Sequence, residues 1–325
     1  MYRHGETDTN DRLPAPTVAH DHLLAVIATQ SAIHAGSVRL LDVGCGEGRF
    51  IDYVLTQFAS LRPDLNIECH GFDVNDSGMM GEGLQDRLVG TLQRTHPHVN
   101  WSERIAVIRS SDAWPYPDSF FDIIVSNQVL EHVTDHDLFF KESYRTLKDG
   151  GYAVHLAPLR HCLYEPHIGL PLFHHLNNHD LRVSYVRMAT RLGLKKQFER
   201  TAGTRSSVDE FSERESDVMR EFTNYLSVAE LYHLGKRNHL RTSLRYTPEY
   251  YRAKLRKMAG QPALRRYKRH GNVVATWLSA SLLKYVASVT VFQEKKPVMS
   301  MPPLVDHSPR CDVTPTTREE PRSER

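Results

Sequence analysis

Three groups of residues have types and spacings that could do chemistry. The first is Leu40-Leu41-Asp42-Val43-Gly44-Cys45-Gly46-Glu47-Gly48, an apolar run that ends in a GxGxG turn. Glycine tolerates positive φ and lets a ligand approach the backbone closely. Asp42, two residues before the first glycine, is placed to accept from a ligand ammonium and would repel a pyrophosphate. A dinucleotide fingerprint requires glycine at position 49, where Arg49 stands, and a Walker loop requires a Gly-Lys-Ser/Thr ending that is absent. The second group is histidine-rich: Glu131-His132, then His155, His161, Glu165 and His167. A neutral imidazole near pH 7 can take the proton from a hydroxyl. In Glu165-Pro166-His167 the proline limits the turn, so the carboxylate could hold the imidazole and tune it. The same stretch also reads as a structural loop with satisfied polar side chains. HxxxH spacing occurs at His132/His136 and His175/His179, but neither pair reads HExxH and no CxxC exists, so no metal is expected. The third group is basic. From Lys236 to Arg269 there are twelve lysines and arginines against one acid, Glu249, with Tyr246, Tyr250, Tyr251 and Tyr267 interleaved. Such a stretch suits an anionic acceptor, a nucleic acid or an anionic membrane surface, or it is a solvated face packed through its tyrosines.

Alternating strands and helices must position these groups. Strand candidates are Val38–Val43, Ile67–Phe72, Ile105–Ile108, Phe121–Val125 and Tyr152–Leu156, with later ones at Leu244–Tyr246 and Val286–Gln293. Helical spacing covers Phe50–Leu61, Gly83–Arg94, His136–Leu147 and Val228–Leu240. This alternation predicts a mostly parallel sheet with helices on both faces and a ligand site beyond the carboxyl ends of its strands. The expected organisation is a flexible N-terminus over 1–16, a cofactor-binding core over 17–157 and a mostly helical lid or acceptor-binding insertion over 158–226. The rest of the fold then occupies 227–295, and a disordered, proline-containing tail 296–325.

The 325 residues carry 41 basic and 39 acidic side chains, which excludes a strongly polyanionic or polycationic protein. Four cysteines make no disulfide framework, and the polar N-terminus lacks the apolar core of a signal peptide, so a cytoplasmic setting is expected. Val273–Phe292 is long enough to span a bilayer, but Lys284 and four Ser/Thr before Val289 interrupt it, so it reads as a buried helix running into a strand.

Five motifs together resemble the class I S-adenosylmethionine-dependent methyltransferases, of the methyltransferase type 11-like kind. They are Asp42-x-Gly44-x-Gly46-x-Gly48, Gly71-Phe72-Asp73-Val74, Ser111-Asp112-Ala113, the stretch from Asp122 to Val133, and Leu147-Lys148-Asp149-Gly150-Gly151. The resemblance covers roughly residues 36 to 157. It implies a Rossmann-like seven-stranded α/β sheet with its last strand antiparallel, and S-adenosyl-L-methionine as cofactor. It further implies cofactor contacts at Asp42, Gly44, Cys45, Gly46, Gly48, Asp73, Val74, Asp112, Ala113, Asn127 and Gln128. Asp73 would take the ribose hydroxyls and Asp112 the adenine amino group. Some relatives hold a divalent metal with an ExxEH pattern, but Gln128 stands at the first position here. Glu165-Pro166-His167 is similar to a short segment of methyltransferases from bacterial polysaccharide and natural-product pathways.

The expected activity is methyl transfer to a hydroxyl of a sugar, lipid-linked glycan or secondary metabolite. His132, His167, Glu165 and His161 are the catalytic candidates, with His167 paired to Glu165 ahead of His132. The alternatives are a methyltransferase-fold binding module without turnover and an RNA-directed enzyme that uses the basic stretch. The partner is then a small-molecule, glycan or lipid-linked acceptor before a nucleic acid. No transmembrane segment is expected, peripheral membrane contact stays open, and the oligomeric state is not legible.

Overall fold

The structure is a computed structural model that describes residues 16–30, 36–76, 83–165, 169–176, 178–193, 207–267 and 273–296. The expected flexible N-terminus and disordered tail lie outside these residues, apart from residues 16 and 296. In chain order the first half comprises α1 (Val18–Gln30), β1 (Gly36–Val43), α2 (Arg49–Leu61), β2 (Leu65–Val74), α3 (Leu84–Thr95), β3 (Ile105–Ile108), β4 (Phe121–Asn127), α4 (His136–Thr146) and β5 (Leu147–Pro158). An insertion follows, with a short hairpin of β6 (Tyr164–Glu165) and β7 (Leu170–Pro171), then α5 (His179–Arg191) and α6 (Val208–Glu221). The chain closes with α7 (Val228–Arg237), β8 (Leu240–Ser243), α8 (Thr247–Met258), α9 (Val273–Leu283) and β9 (Ser288–Lys295).

Seven strands form one sheet in the order β3-β2-β1-β4-β5-β9-β8. The first five run parallel, and β9 enters antiparallel between β5 and β8. The chain leaves β1 toward β2 and β3, then returns to the other side of β1 for β4. That reversal opens the crevice at the carboxyl ends of β1 and β4 where such sheets bind ligands. Both faces are covered, so the strands are apolar without alternation. Leu40, Ile123 and Val154 point into a core shared with α1 and α2, while Leu41, Ile124 and Ala153 point into one shared with α4 and α7.

Three sequence expectations are corrected. The sixth strand of the sheet is Leu240–Ser243, not Leu244–Tyr246; Leu244 and Tyr246 turn inward and are buried. The 158–226 stretch, read as strandless, contains the β6–β7 hairpin. The apolar Val273–Phe292 run does not start as a buried helix. In α9, Ala280 is buried, while Val274, Trp277, Leu278 and Leu282 face outward.

Two local devices position the ligand edge. Gly44 and Gly48 have φ of 68° and 75°, a region that strongly favours glycine. A Cβ at Gly44 would lie 2.5 Å from Val129 Cγ2, and one at Gly48 would lie 2.7 Å from Leu88 Cδ1. The turn can therefore sit close to the loop after β4 and to α3 only without side chains. On the other side of the cavity, Glu142 of α4 accepts from the Trp114 amide at 2.7 Å and from Arg145 Nη2 at 2.6 Å. Arg145 in turn donates to the carbonyls of Trp114 and Tyr116. This clamp fixes the loop between β3 and β4, and with it the Trp114 ring, which meets Phe139 edge-on at 5.4 Å. Glu142→Ala leaves a buried amide without its acceptor, and an orphaned buried donor costs about 1–3 kcal/mol. Urea unfolding is expected to show a loss of about 2 kcal/mol or more; an unchanged midpoint would show that the clamp is dispensable.

Candidate functional site

A cavity of about 630 Å³ opens at the carboxyl ends of β1 to β4, within the size range of small-molecule and cofactor sites. Val43, Gly44 and Gly46 form its floor, Phe72, Asp73 and Val74 one wall, and Asn127, Gln128 and Val129 the other. Asp73 holds the floor to the wall. Its Oδ2 accepts from the Gly46 amide at 2.7 Å and its Oδ1 from its neighbour Val74 at 2.7 Å. Burial raises the Asp73 carboxyl above the ordinary aspartate range, and the two amides oppose that shift. Asp42 lies behind the floor, buried. Burial first, and the nearby Asp73 charge second, hold its carboxyl well above the usual range. The Asn127 Oδ1 is buried with no hydrogen-bond partner among the described residues, an acceptor left for a ligand donor.

The far end of the cavity is aromatic and acidic. Phe72 and Trp114 lie with ring centroids 5.1 Å apart, and Phe139 adjoins Trp114. Asp112 accepts from the Arg109 amide at 3.0 Å, and Asp76 accepts from the Ser110 amide at 2.9 Å and 3.1 Å. The near end is closed by the insertion. The Asn224 amide donates to the Glu131 carbonyl at 2.6 Å, and its side chain reaches the carbonyls of Val133 and Thr134. His132 lines the cavity, with Nδ1 2.6 Å from the Phe222 carbonyl. A carbonyl only accepts, so Nδ1 carries the proton and the lone pair is on Nε2.

Of the residues expected from sequence, Gly44, Gly46, Asp73, Val74, Asp112, Asn127, Gln128 and His132 line this one cavity. Asp42, Cys45, Gly48 and Ala113 do not line it. The Cys45 side chain points at Gly71 and Ile51 in the core, and Gly48 serves the approach of α3. Of the second histidine cluster, the described members His155, His161 and Glu165 do not line this cavity. His155 is buried in β5, its Nδ1 2.8 Å from Ser126 Oγ, and burial lowers its pKa to about 3. His161 is exposed and away from the cavity. Glu165 is fully buried and accepts from the Tyr225 hydroxyl at 2.9 Å. Its pairing with His167 lies outside the described residues. The tyrosines of the basic stretch are not a stacking platform: Tyr246, Tyr250 and Tyr267 are buried against α1 and β9. Lys268 and Arg269 lie outside the described residues. Among the described residues, no group of three His, Cys, Asp or Glu is placed to hold a metal.

Sequence reasoning missed Asp76, Trp114, Phe139 and the segment Phe222–Asn224. Trp114 follows the Ser111-Asp112-Ala113 motif directly and was within reach. Phe222–Asn224 meets His132 only through a fold-back of some ninety residues and carries no local signal.

Two buried carboxyls close together make the ligand-free site electrostatically unfavourable at neutral pH. A raised folded pKa contributes stability in acid that is lost as pH rises from the unfolded carboxylate range through the folded value. Asp42→Asn removes that loss. The variant is therefore expected to match wild type near pH 4 and to melt higher at pH 8, read by calorimetry of the ligand-free protein. A variant less stable at pH 8 would refute the charge conflict.

A sequence model of the methyltransferase domain family matches residues 18–215, more than half of the chain. The ubiquinone/menaquinone biosynthesis C-methyltransferase UbiE of Serratia proteamaculans is 38% identical over 82 residues, which cover 24% of this chain and 28% of that protein. Ajmaline N-methyltransferase of Rauvolfia serpentina is 26% identical over 119 residues, 36% of this chain and 35% of that one. Methyltransferase GfsG of Streptomyces halstedii is 27% identical over 115 residues, 35% of each chain. The chain thus spans about a third of the length of these curated relatives, or less. Among solved structures, YcgJ of Bacillus subtilis covers 86% of this chain and 99% of its own at a TM-score of 0.44 and 15% identity. Geranyl diphosphate C-methyltransferase of Streptomyces coelicolor covers 81% and 74% at 0.41 and 15%. With the glycine turn, the acid at the end of the second strand and the sheet order already in place, the family match settles the kinship: the chain belongs to the class I S-adenosylmethionine-dependent methyltransferases.

Proposed function

We propose that the protein transfers a methyl group from S-adenosylmethionine to a hydroxyl oxygen of a small acceptor, with His132 as the base. The acceptor classes we favour are a sugar, a lipid-linked glycan or a secondary metabolite. Bound S-adenosylmethionine supplies an electrophilic methyl group on a sulfonium centre. The residues present fit it. Asp73 offers a carboxylate to a vicinal diol, Asn127 offers a buried acceptor without a partner, and the Phe72–Trp114 end accommodates a flat ring. Displacement at a methyl carbon asks the protein to orient two groups in line and to keep water out. The insertion serves the second need by bringing Phe222, Thr223 and Asn224 over the cavity.

The observation that carries the oxygen assignment is His132. It reaches the cavity beside the insertion, and its Nδ1 is committed to the Phe222 carbonyl. The lone pair on Nε2 can then take a hydroxyl proton, a contribution typically worth about 10²–10⁴ in rate. His167, which the sequence put ahead of His132, lies outside the described residues. Two relatives are named for nitrogen and carbon methylation; a neutral amine attacks without first losing a proton, so the kinetics of His132 bear on the acceptor atom. A reducing compartment agrees with Cys45 and Cys69, which are buried and outside any disulfide among the described residues.

Two expectations follow. Asp73→Ala is expected to weaken S-adenosylmethionine binding by about 2–3 kcal/mol, since it removes charge-assisted acceptors. Isothermal calorimetry reads this, and unchanged affinity would sink the donor site. His132→Ala is expected to cut kcat by about 10²-fold or more, to flatten the acid limb of the pH profile and to leave donor affinity intact. S-adenosylhomocysteine release over a pool of hydroxylated acceptors is the assay. Near wild-type kcat in His132→Ala would move the acceptor to an amine, thiol or carbanion. Intact donor binding with no turnover on any acceptor would favour the binding module instead.

A further inference from the structure

Among the described residues, most of the exposed large apolar side chains lie on α9 and the elements beside it, apart from Leu181, Met188 and Leu192 on or just past α5 and Tyr232 on α7. On α9 the residues Val274, Trp277, Leu278 and Leu282 face outward, and no charged side chain interrupts the helix. Trp277 is 67% exposed and Leu282 74%. The surface continues at both sides. Past the end of α9, Tyr285 and Val286 are exposed, and their carbonyls accept from the amides of Leu163 and Tyr164 at 2.6 Å and 2.9 Å. These bonds tie the β6–β7 hairpin of the insertion to α9, and the hairpin exposes Leu163, Tyr164 and Leu172. On the other side α9 packs on α8, where Leu255 and Met258 are exposed. A monomer seldom leaves so many large apolar side chains together in water.

Charge identifies the occupant. Helix α8 carries Arg252, Lys254, Arg256 and Lys257 with one acid, Glu249, and Lys284 follows α9 beside the Tyr285 ring at 5.0 Å. A second copy docking through the same face would set these cations against each other. An anionic lipid surface would neutralise them while it took up the apolar residues, and Trp and Tyr favour the headgroup boundary. No helix of the described residues is long and apolar enough to cross a bilayer, so the helix would lie in the interface plane. The geometry points to a docking face for anionic membranes, formed by α9, the basic helix α8 and the β6–β7 hairpin. The hairpin belongs to the same insertion that closes the cavity, so docking would bring the acceptor side of the site to the lipid. This inference does not require a hydroxyl acceptor or His132 as base.

Trp277 is a built-in probe, because Trp101 and Trp114, the other two tryptophans, are buried. The full chain is titrated with vesicles of phosphatidylcholine alone and of phosphatidylcholine with phosphatidylglycerol. Expected are a blue shift of Trp277 emission and co-sedimentation with the anionic vesicles, both falling as salt rises. Leu278→Glu combined with Leu282→Glu is expected to weaken vesicle binding at least about tenfold and to keep S-adenosylhomocysteine affinity, which certifies the fold. Arg252→Glu with Lys257→Glu is expected to weaken anionic binding without touching the apolar face. The inference is overturned if wild type stays in the supernatant with both vesicles, or if the Leu278/Leu282 variant binds them equally well. It is also overturned if Trp277 emission is already that of a buried ring without lipid. In that last case sedimentation separates a second copy from a segment of the same chain as the cover.

Discussion

Asp73 holds the site together. Its carboxylate is buried at the end of β2 and satisfied by amides on both sides, one from its own strand and one from the glycine turn of β1. That bond keeps the turn from following its intrinsic flexibility, which three positive-φ glycines would otherwise allow. Keeping a carboxylate charged in a desolvated place is costly, and the Asp73 charge in turn raises the cost of ionising the buried Asp42. A ligand that brings donors or positive charge to this corner relieves the conflict. A sulfonium donor with an ammonium group suits it, and a dinucleotide pyrophosphate does not.

The second dependence is on closure. The loop after β4 is held from the floor by the close fit of Val129 over Gly44, and from above by Asn224 and Phe222. His132 is fixed between these two constraints, and its tautomer follows from a single backbone carbonyl. The insertion has a small core of its own, with Phe173, Val186, Phe211 and Met219. The same insertion reaches α9 through the hairpin. Substrate access, closure and the exposed apolar face therefore share one piece of chain.

The basic stretch shows how composition can mislead. Interleaved tyrosines and cations read as a surface for bases or phosphates. In the fold the tyrosines turn inward, where the Tyr267 hydroxyl is 2.7 Å from His22 Nδ1 and the Tyr246 hydroxyl accepts from Gln30. Arg252 and Lys257 are left at the surface beside apolar neighbours. The pattern was helical, and a helix separates neighbours in sequence onto opposite faces.

The sequence alone determined the parallel sheet, its helices and the cofactor corner. Each of these is written in local chemistry: apolar runs of strand length, glycines at a turn that requires positive φ, and acids at strand ends. That Asp73, Asp112, Gly44 and Gly46 would line one cavity was legible because their placement depends on the residues next to them. The tertiary structure decided what depends on distant pieces meeting. It placed β9 between β5 and β8, buried His155 and Glu165, turned Cys45 into the core and brought Phe222 to His132. It also exposed α9, which composition had marked for burial. A helix is apolar by its own residues, but whether it is covered depends on how much chain remains to cover it, and no local pattern encodes that.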